Sequence, residues 1–366
     1  MIDAVFYIAL VFNSVCFMVL VYNLFTAPLV QNKHVEIDDD ELVSVLIPAR
    51  NEAANIKNCL ISIKNQSYKN LEIIVLNDES TDETEAILSE FKSDETRFRF
   101  INGEAKPEGW IGKNWACHQL GNEANGKFLL FVDADVTLKE HAISQTISAM
   151  QKNNLSMLSV FPTQWMNTFG EYLVVPLMNW LLLSFLPLKQ VFASNNKSFV
   201  AANGQFLLFK KSVYKKLGGH EKVKDKVVED MEFARAVKNS GEKMMTLLGW
   251  NSIYCKMYSG FRESINGFSK NFFPGFNISY LAFSVFVIFA FSANYHPFIL
   301  VFINSLFIYP VLIVVSARMI ISHLSKQNIF FNTALHPFQF LIMLFVGIKS
   351  MIDTKRKKVE WKGRLI

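Results

Sequence analysis

Cysteine is scarce and scattered: Cys16, Cys59, Cys117 and Cys255 lie far apart and form no CxxC pair. That spacing supports neither a zinc site nor a disulfide framework, and a reducing, cytoplasmic setting suits it best. The seven histidines offer no pair at metal-ligand spacing. His118 reads as a surface or packing residue, while His296 and His336, each followed by proline, read as structural. Internal repeats and low-complexity segments are also absent. The net charge of +5 is modest, and no nucleic-acid partner is expected.

Charge is missing altogether from about residue 4 to 30 and from about 271 to 317. A run of about 20 apolar residues is long enough to span a bilayer, so both stretches are expected to be membrane segments. A secretory signal has an apolar core of only about 7–15 residues after a basic start. The first stretch is longer and no basic residue precedes it, so an uncleaved anchor is expected over residues 1–30. Residues 271–352 form a second membrane region and 353–366 a basic tail. Lys355, Arg356, Lys357 and Lys358, with Lys362 and Arg364 beyond, place that tail in the cytoplasm or on anionic lipid.

What the chain does have is 51% apolar residues, 34 of its residues being Phe, and a mixed region from about 41 to 270. Within that region Val43–Ile47 reads as a buried strand ended by Pro48, and Asn51 as the cap of a helix carrying Ile56, Cys59, Leu60 and Ile63. Leu71–Leu76 is a second strand, and Ser80 with Glu83 has the form of a capping box. A third strand over 97–101 and a helix over 112–125 precede the strand 128–132. Further strands fall within 155–161 and 199–209, and helices over 210–217 and from 227 to Gly241. Alternating strands and helices imply a mostly parallel sheet covered on both faces, binding ligands at the carboxyl ends of its strands. Pro48, Asp78 and Asp133 all fall there.

Asp133 and Asp135 follow that apolar strand with one residue between them, a spacing that points both carboxylates the same way if the strand continues. Two hard oxygen ligands suit Mg²⁺ or Mn²⁺ held against a substrate diphosphate. Taken alone the pair is as well explained by a solvated turn.

The stretches VLIPARNE (45–52), VLNDES (75–80) and FLLFVDADV (128–136), in that order on successive strand ends, resemble family 2 glycosyltransferases of the GT-A fold. NGQFLLFKKSVYKKLGG (203–219) and VVED (227–230) continue the resemblance, which covers roughly residues 42 to 250. GWIGKNWACHQLG before the aspartates, GFSKN at 267–271 and WKGR at 361–364 are similar to membrane glycosyltransferases associated with carotenoid and hopanoid pathways. The resemblance implies a Rossmann-like α/β GT-A domain, cytoplasmic over 41–270, with transmembrane helices at both ends of a multi-pass cell-membrane protein. By the same resemblance Pro48, Ala49, Arg50, Glu52 and Asp78 would hold the uridine and ribose of a UDP-sugar. Lys113 would offset diphosphate charge, Asp133 would contact ribose or metal, and Asp135 would ligate Mg²⁺ or Mn²⁺. Glu229 and Asp230 would be the catalytic pair, with Asp230 as general base of a single, inverting displacement. Each has a structural alternative: Glu52, Glu229 and Asp230 as helix-terminal charges, Asp78 as a turn residue and Lys113 as a helix surface lysine.

The QxxRW motif of processive polysaccharide synthases is absent, which favours a single transfer over polymer extrusion. The expected acceptor is a membrane lipid such as a carotenoid acid or other isoprenoid, with a polyprenyl-phosphate hexose transferase or a non-catalytic nucleotide-binding scaffold as alternatives. The segment 172–188 cannot cross the bilayer once, because Asp135 and Asp230 would then lie on opposite sides; an interfacial or hairpin element guiding the acceptor is expected. Residues 272–293 and 297–317 fit a hairpin, and His336–Pro337 is expected to break the segment 329–352 into a re-entrant helix. The identity of the sugar and the oligomeric state are not set by the sequence.

Overall fold

A computed structural model describes residues 2–36 and 41–356, with the backbone alone of 360–361 and 364–365. Lys357, Lys358 and Lys362 of the expected basic tail lie outside the described residues. The chain divides into two compact units. One comprises Pro28–Thr163, Val191–Lys256 and Glu360–Ile366; the other comprises Met1–Ala27, Gln164–Gln190 and Met257–Val359.

The first unit is α/β. Its strands are β1 (Val43–Ala49), β2 (Leu71–Asn77), β3 (Phe98–Asn102), β4 (Phe128–Val132), β5 (Val136–Leu138) and β6 (Met157–Phe161). They continue with β7 (Thr163–Gln164), β8 (Phe206–Lys210), β9 (Met244–Leu248) and β10 (Ile253–Cys255). Seven of them form one sheet in the order β3-β2-β1-β4-β8-β6-β9. β1 runs parallel to β2 and β4, whereas β8 runs antiparallel to both β4 and β6. Continuous apolar runs such as FLLFV in β4, buried at every position, are what a sheet covered on both faces requires. The helices Ile56–Lys64, Thr84–Lys92, Gly112–Glu123, Ala142–Lys152 and Glu229–Asn239 provide that cover. β5 pairs antiparallel with β10, setting Val136 opposite Cys255 just beyond the β4 carboxyl end.

Three local expectations differ from what forms. Asn51 does not cap a helix; it takes a left-handed backbone (φ 52°) and its Oδ1 accepts from Thr81 N–H at 2.8 Å. An Asn tolerates that conformation at low cost, and here it ties the β1 loop to the β2 loop. Ser80 and Glu83 form no capping box: the Ser80 hydroxyl instead accepts from Asn51 N–H at 3.0 Å, and Asp82 Oδ1 accepts from Thr84 N–H at 3.0 Å. Asp133 and Asp135 do not sit on a continuing strand. β4 ends at Val132, and a turn closed by Val136 N–H to Asp133 C=O (3.1 Å) carries both residues before β5 begins.

The second unit is helical. Ile2–Thr26, Tyr280–Leu300, Ser305–Ser325 and His336–Lys355 are each long and apolar enough to cross a membrane. Four such segments associate the chain with a membrane. Their outward residues include Tyr7, Met18, Leu281, Ile288, Leu312 and Phe345, all exposed, as suits a surface solvated by lipid. Inside, polar side chains bond to main-chain carbonyls across helices: Asn13 Nδ2 donates to Ala293 C=O at 2.9 Å, and Asn23 Nδ2 to Leu183 C=O at 2.9 Å and Leu186 C=O at 2.8 Å. The segment 172–188 lies in this unit as the helices Phe169–Val174 and Pro176–Phe185, too short together to be a single straight span. The Asn23 bonds anchor the end of the second of these. Gly267, on the helix Phe261–Phe276, is required by close packing, since a Cβ there would lie 2.3 Å from the Tyr258 ring. The segment 329–352 is interrupted at Leu335 between the helices Ile329–Ala334 and His336–Lys355. Pro337 lies in the first turn of the second helix, where its missing N–H costs nothing.

Candidate active site

The loop after β1 and the loop after β2 lock together. Asp78 N–H bonds to Ala49 C=O at 2.8 Å, and Arg50 Nη1 donates to Asp78 C=O at 2.7 Å. The Asp78 and Glu79 carboxylates stand 3.9 and 3.7 Å from the same guanidinium nitrogen. Pro48, Ala49, Arg50 and Asp78 thus form one group at the carboxyl ends of β1 and β2. Glu52 N–H bonds to Thr84 Oγ1 at 2.9 Å, and the Glu52 charge acts on Asp135.

A second group gathers around Lys113, on the first turn of the helix Gly112–Glu123. Its Nζ lies 2.7 Å from Asp133 Oδ1 and 2.9 Å from Oδ2, 3.4 Å from Gly204 C=O and 3.6 Å from Glu229 Oε1. Burial works against its charge, but Asp133 and Glu229 outweigh that and hold the ammonium well above its usual pKa. Lys113 is therefore no surface lysine; it joins the acid pair after β4 to the acid pair that opens the helix Glu229–Asn239. Asp230 Oδ2 accepts from Gly204 N–H at 2.8 Å and Oδ1 from Met231 N–H at 2.7 Å. Burial, then the neighbouring Glu229, pushes the Asp230 pKa up to about 7, into the range of a base that exchanges protons near neutrality.

The reach of Lys113 depends on Gly204. A Cβ on that residue would stand 3.1 Å from Glu229 Oε1 and 3.3 Å from Lys113 Nζ, so the loop before β8 approaches through bare backbone. The motif NGQF gives Gly204 and Gln205 no part that the sequence alone identifies. Nor does the sequence alone show that three of the four cysteines surround the acids. Cys59 Sγ faces Asp133 C=O at 3.9 Å, Cys255 Sγ accepts from Gln205 Nε2–H at 3.0 Å, and the charges of Lys113, Glu229 and Asp133 act on Cys117. Burial raises all three pKa values, so these thiols are neutral. Their widely separated positions gave no local signal. His220, paired through Nδ1 with Tyr214 Oη at 2.8 Å, is pushed down to about 3 by burial and by Lys113. His118, on the helix Gly112–Glu123, instead packs with Trp115 of the same helix and with Trp110 just before it.

The donor set fits a hard divalent cation. Asp135 Oδ1 is buried and lacks a hydrogen-bond partner among the described residues. Burial, followed by the charges of Asp133 and Glu52, pushes the Asp135 pKa up to about 7. Excess carboxylate charge with an unbonded inward oxygen is what a cation relieves. No group of three or more His, Cys, Asp or Glu that could hold a metal ion occurs among the described residues. Two carboxylates suit an ion whose remaining ligands are water and substrate phosphate.

A mostly parallel α/β sheet with acids at its strand ends is the GT-A architecture. A mannosyltransferase from Pyrobaculum calidifontis, solved in complex with GDP-Man and Mn²⁺, shares the fold, with a TM-score of 0.56 and 14% identity over 96% of this chain and 99% of that one. The family model described as Glycosyl transferase family 2 matches residues 44–218. The 4,4'-diaponeurosporenoate glycosyltransferase of Staphylococcus haemolyticus (strain JCSC1435) is 28% identical over 251 residues, 67% of this chain and 64% of that protein. Its namesake in Staphylococcus aureus (strain MRSA252) is 28% identical over 239 residues, 64% of this chain and 61% of that protein. The similarity thus spans less than two thirds of the relatives' own length.

Proposed function

We propose that this chain is an inverting, metal-dependent glycosyltransferase that moves a hexose from a UDP-sugar to a membrane lipid, a carotenoid acid or related isoprenoid being the leading candidate. The observation that carries the reading is Lys113, which draws the acids after β4 and the acids opening the helix Glu229–Asn239 into one cluster. The family-model match supports the reaction class, the relatives' names support the acceptor, and four long apolar helices support a multi-pass membrane protein. The catalytic domain, 41–270 by the sequence reading, would face the cytoplasm.

Pro48, Ala49, Arg50, Glu52 and Asp78 bind the nucleoside, with the Arg50–Asp78 pair holding the edge of that pocket in place. Asp133 and Asp135 hold Mg²⁺ or Mn²⁺, which when bound neutralises charge developing on the leaving nucleotide. Lys113 adds an ammonium to the same task. The acceptor oxygen attacks the anomeric carbon from the face opposite the diphosphate, and the bond to the phosphate oxygen breaks with its electron pair departing on UDP. Asp230, positioned by Gly204 N–H, receives the proton of a hydroxyl acceptor, and burial together with Glu229 keeps its pKa near neutral. A carboxylate acceptor brings no proton, and Asp230 then only orients it.

Purified full-length protein incubated with labelled UDP-hexoses and membrane lipid should yield one labelled lipid, identified by mass spectrometry. Asp135→Ala should lose metal-dependent donor binding, whereas Asp230→Asn should bind donor and fail to transfer. Normal transfer by either variant would reject the assigned roles.

A further inference from the structure

The helical unit buries a charge that the transfer reaction does not use. Arg318, near the middle of the helix Ile308–Ser325, is fully buried. No carboxylate pairs with it among the described residues. Its partners are neutral: Nε donates to Asn332 C=O at 3.4 Å, Nη1 to Pro176 C=O at 3.5 Å, and Nη2 to Gln339 Oε1. Charge-assisted bonds from arginine are normally about 2.7–2.9 Å, so the first two are long and weak. Of five N–H donors in a planar fork, these contacts occupy three.

Unbonded polar atoms collect in the same place. Asn332 Oδ1, Thr333 Oγ1 and both ring nitrogens of His336 are buried without a hydrogen-bond partner among the described residues. Asn332 is fully buried and His336 nearly so, with its ring packed between Phe298 and Phe340. His336 lies three residues before Gln339 on one helix, so both face the arginine's side. Buried polar groups are ordinarily bonded, and an ionisable residue within an apolar helical unit normally marks a ligand or ion site. Here a buried cation with two unfilled N–H positions, the Thr333 hydroxyl and one ring N–H of His336 are the uncommitted donors, carried by the helices Ile308–Ser325, Ile329–Ala334 and His336–Lys355.

We infer that Arg318, with the Thr333 hydroxyl and the His336 ring, forms a binding site for an oxyanion carried by an anionic membrane lipid, either the phosphate of an anionic phospholipid or the carboxylate of an acidic amphiphile. The oxyanion takes the Nε and Nη1 bonds now made at long range to carbonyls, in the bidentate geometry that arginine offers and lysine does not. This site is independent of the proposed transfer.

The test uses the full chain, delipidated in neutral detergent, and reads thermal stability and native-mass-spectrometric retention on adding phosphatidylglycerol, oleate, inorganic phosphate or phosphatidylcholine. Expected is stabilisation by phosphatidylglycerol or oleate, at least 10-fold weaker binding in Arg318→Gln, and an intermediate loss in Arg318→Lys. Selectivity for phosphatidylglycerol would identify a phospholipid phosphate, and selectivity for oleate a carboxylate amphiphile. Phosphatidylcholine acting as well as the anionic lipids, protection by inorganic phosphate alone, or no protection of the wild-type chain would each overturn the site, whether or not the variants fold. Unchanged binding in a folded Arg318→Gln or Arg318→Lys protein would overturn it as well.

Discussion

Two cations withdrawn from solvent, Lys113 in the α/β unit and Arg318 in the helical unit, are held in opposite ways. Lys113 in the α/β unit stands among carboxylates, bonded to Asp133 and 3.6 Å from Glu229. Arg318 in the helical unit has only carbonyl and amide oxygens around it. The first arrangement compensates charge on the spot and leaves the surplus negative, as a site built for a metal and a proton transfer requires. The second leaves a surplus positive charge in apolar surroundings, where only an anion or a set of dipoles offsets it.

The largest expected effect tests the acid side of that contrast. Asp230→Asn should lower transfer to a hydroxyl acceptor by about 10²- to 10⁴-fold, the usual contribution of a general base, while donor affinity measured by calorimetry stays unchanged. With a carboxylate acceptor the loss should shrink to about 10-fold, because orientation alone is removed. Next, the two cations should differ when replaced by methionine. Lys113→Met strands Asp133 and Glu229 and should cost about 3 kcal/mol in denaturant unfolding, whereas Arg318→Met strands only neutral groups and should cost about 1 kcal/mol or less in lipid-free detergent. Equal losses would break the comparison.

Smaller in effect is Gly204→Ala, which should cost about 1–3 kcal/mol by pushing its methyl toward Glu229 and Lys113. Transfer and donor binding should both fall, because Glu229 lies beside the proposed base and Lys113 beside the proposed diphosphate position. The mildest perturbation is pH. The base must be ionised and its pKa is raised to about 7, so kcat/KM should fall as pH drops through about 7, by about tenfold per unit below it. A profile flat down to pH 5 with a hydroxyl acceptor would remove Asp230 from the proton transfer.

Much of the α/β unit was legible because its signals are local. The strand Phe128–Val132 formed with the bounds its apolar run implied, and β1 and β2 extended theirs by one or two residues. Loop chemistry was less legible. Asn51 and Ser80 have the right residue types for helix caps, yet each bonds the other's loop, since hydrogen-bond partners are chosen across strands and not along the chain. The acids after β4 converge for a different reason from strand alternation, because a turn and the β5–β10 pairing place them.

By itself, then, the sequence determined the strands and helices up to β4, the ordered motifs that the family model also matches and the apolar runs of the N-terminal helix and of the region after 271, all of which depend on periodicity, run length and motif order. Tertiary structure alone decided that Lys113 bridges two acid pairs, that Gly204 clears its path, that three thiols surround the acids and that Arg318 has neutral partners. These facts depend on desolvation and on distances between segments far apart in the chain. Burial sets the cost of a charge and its neighbours set the compensation, and neither is written in a residue's local context.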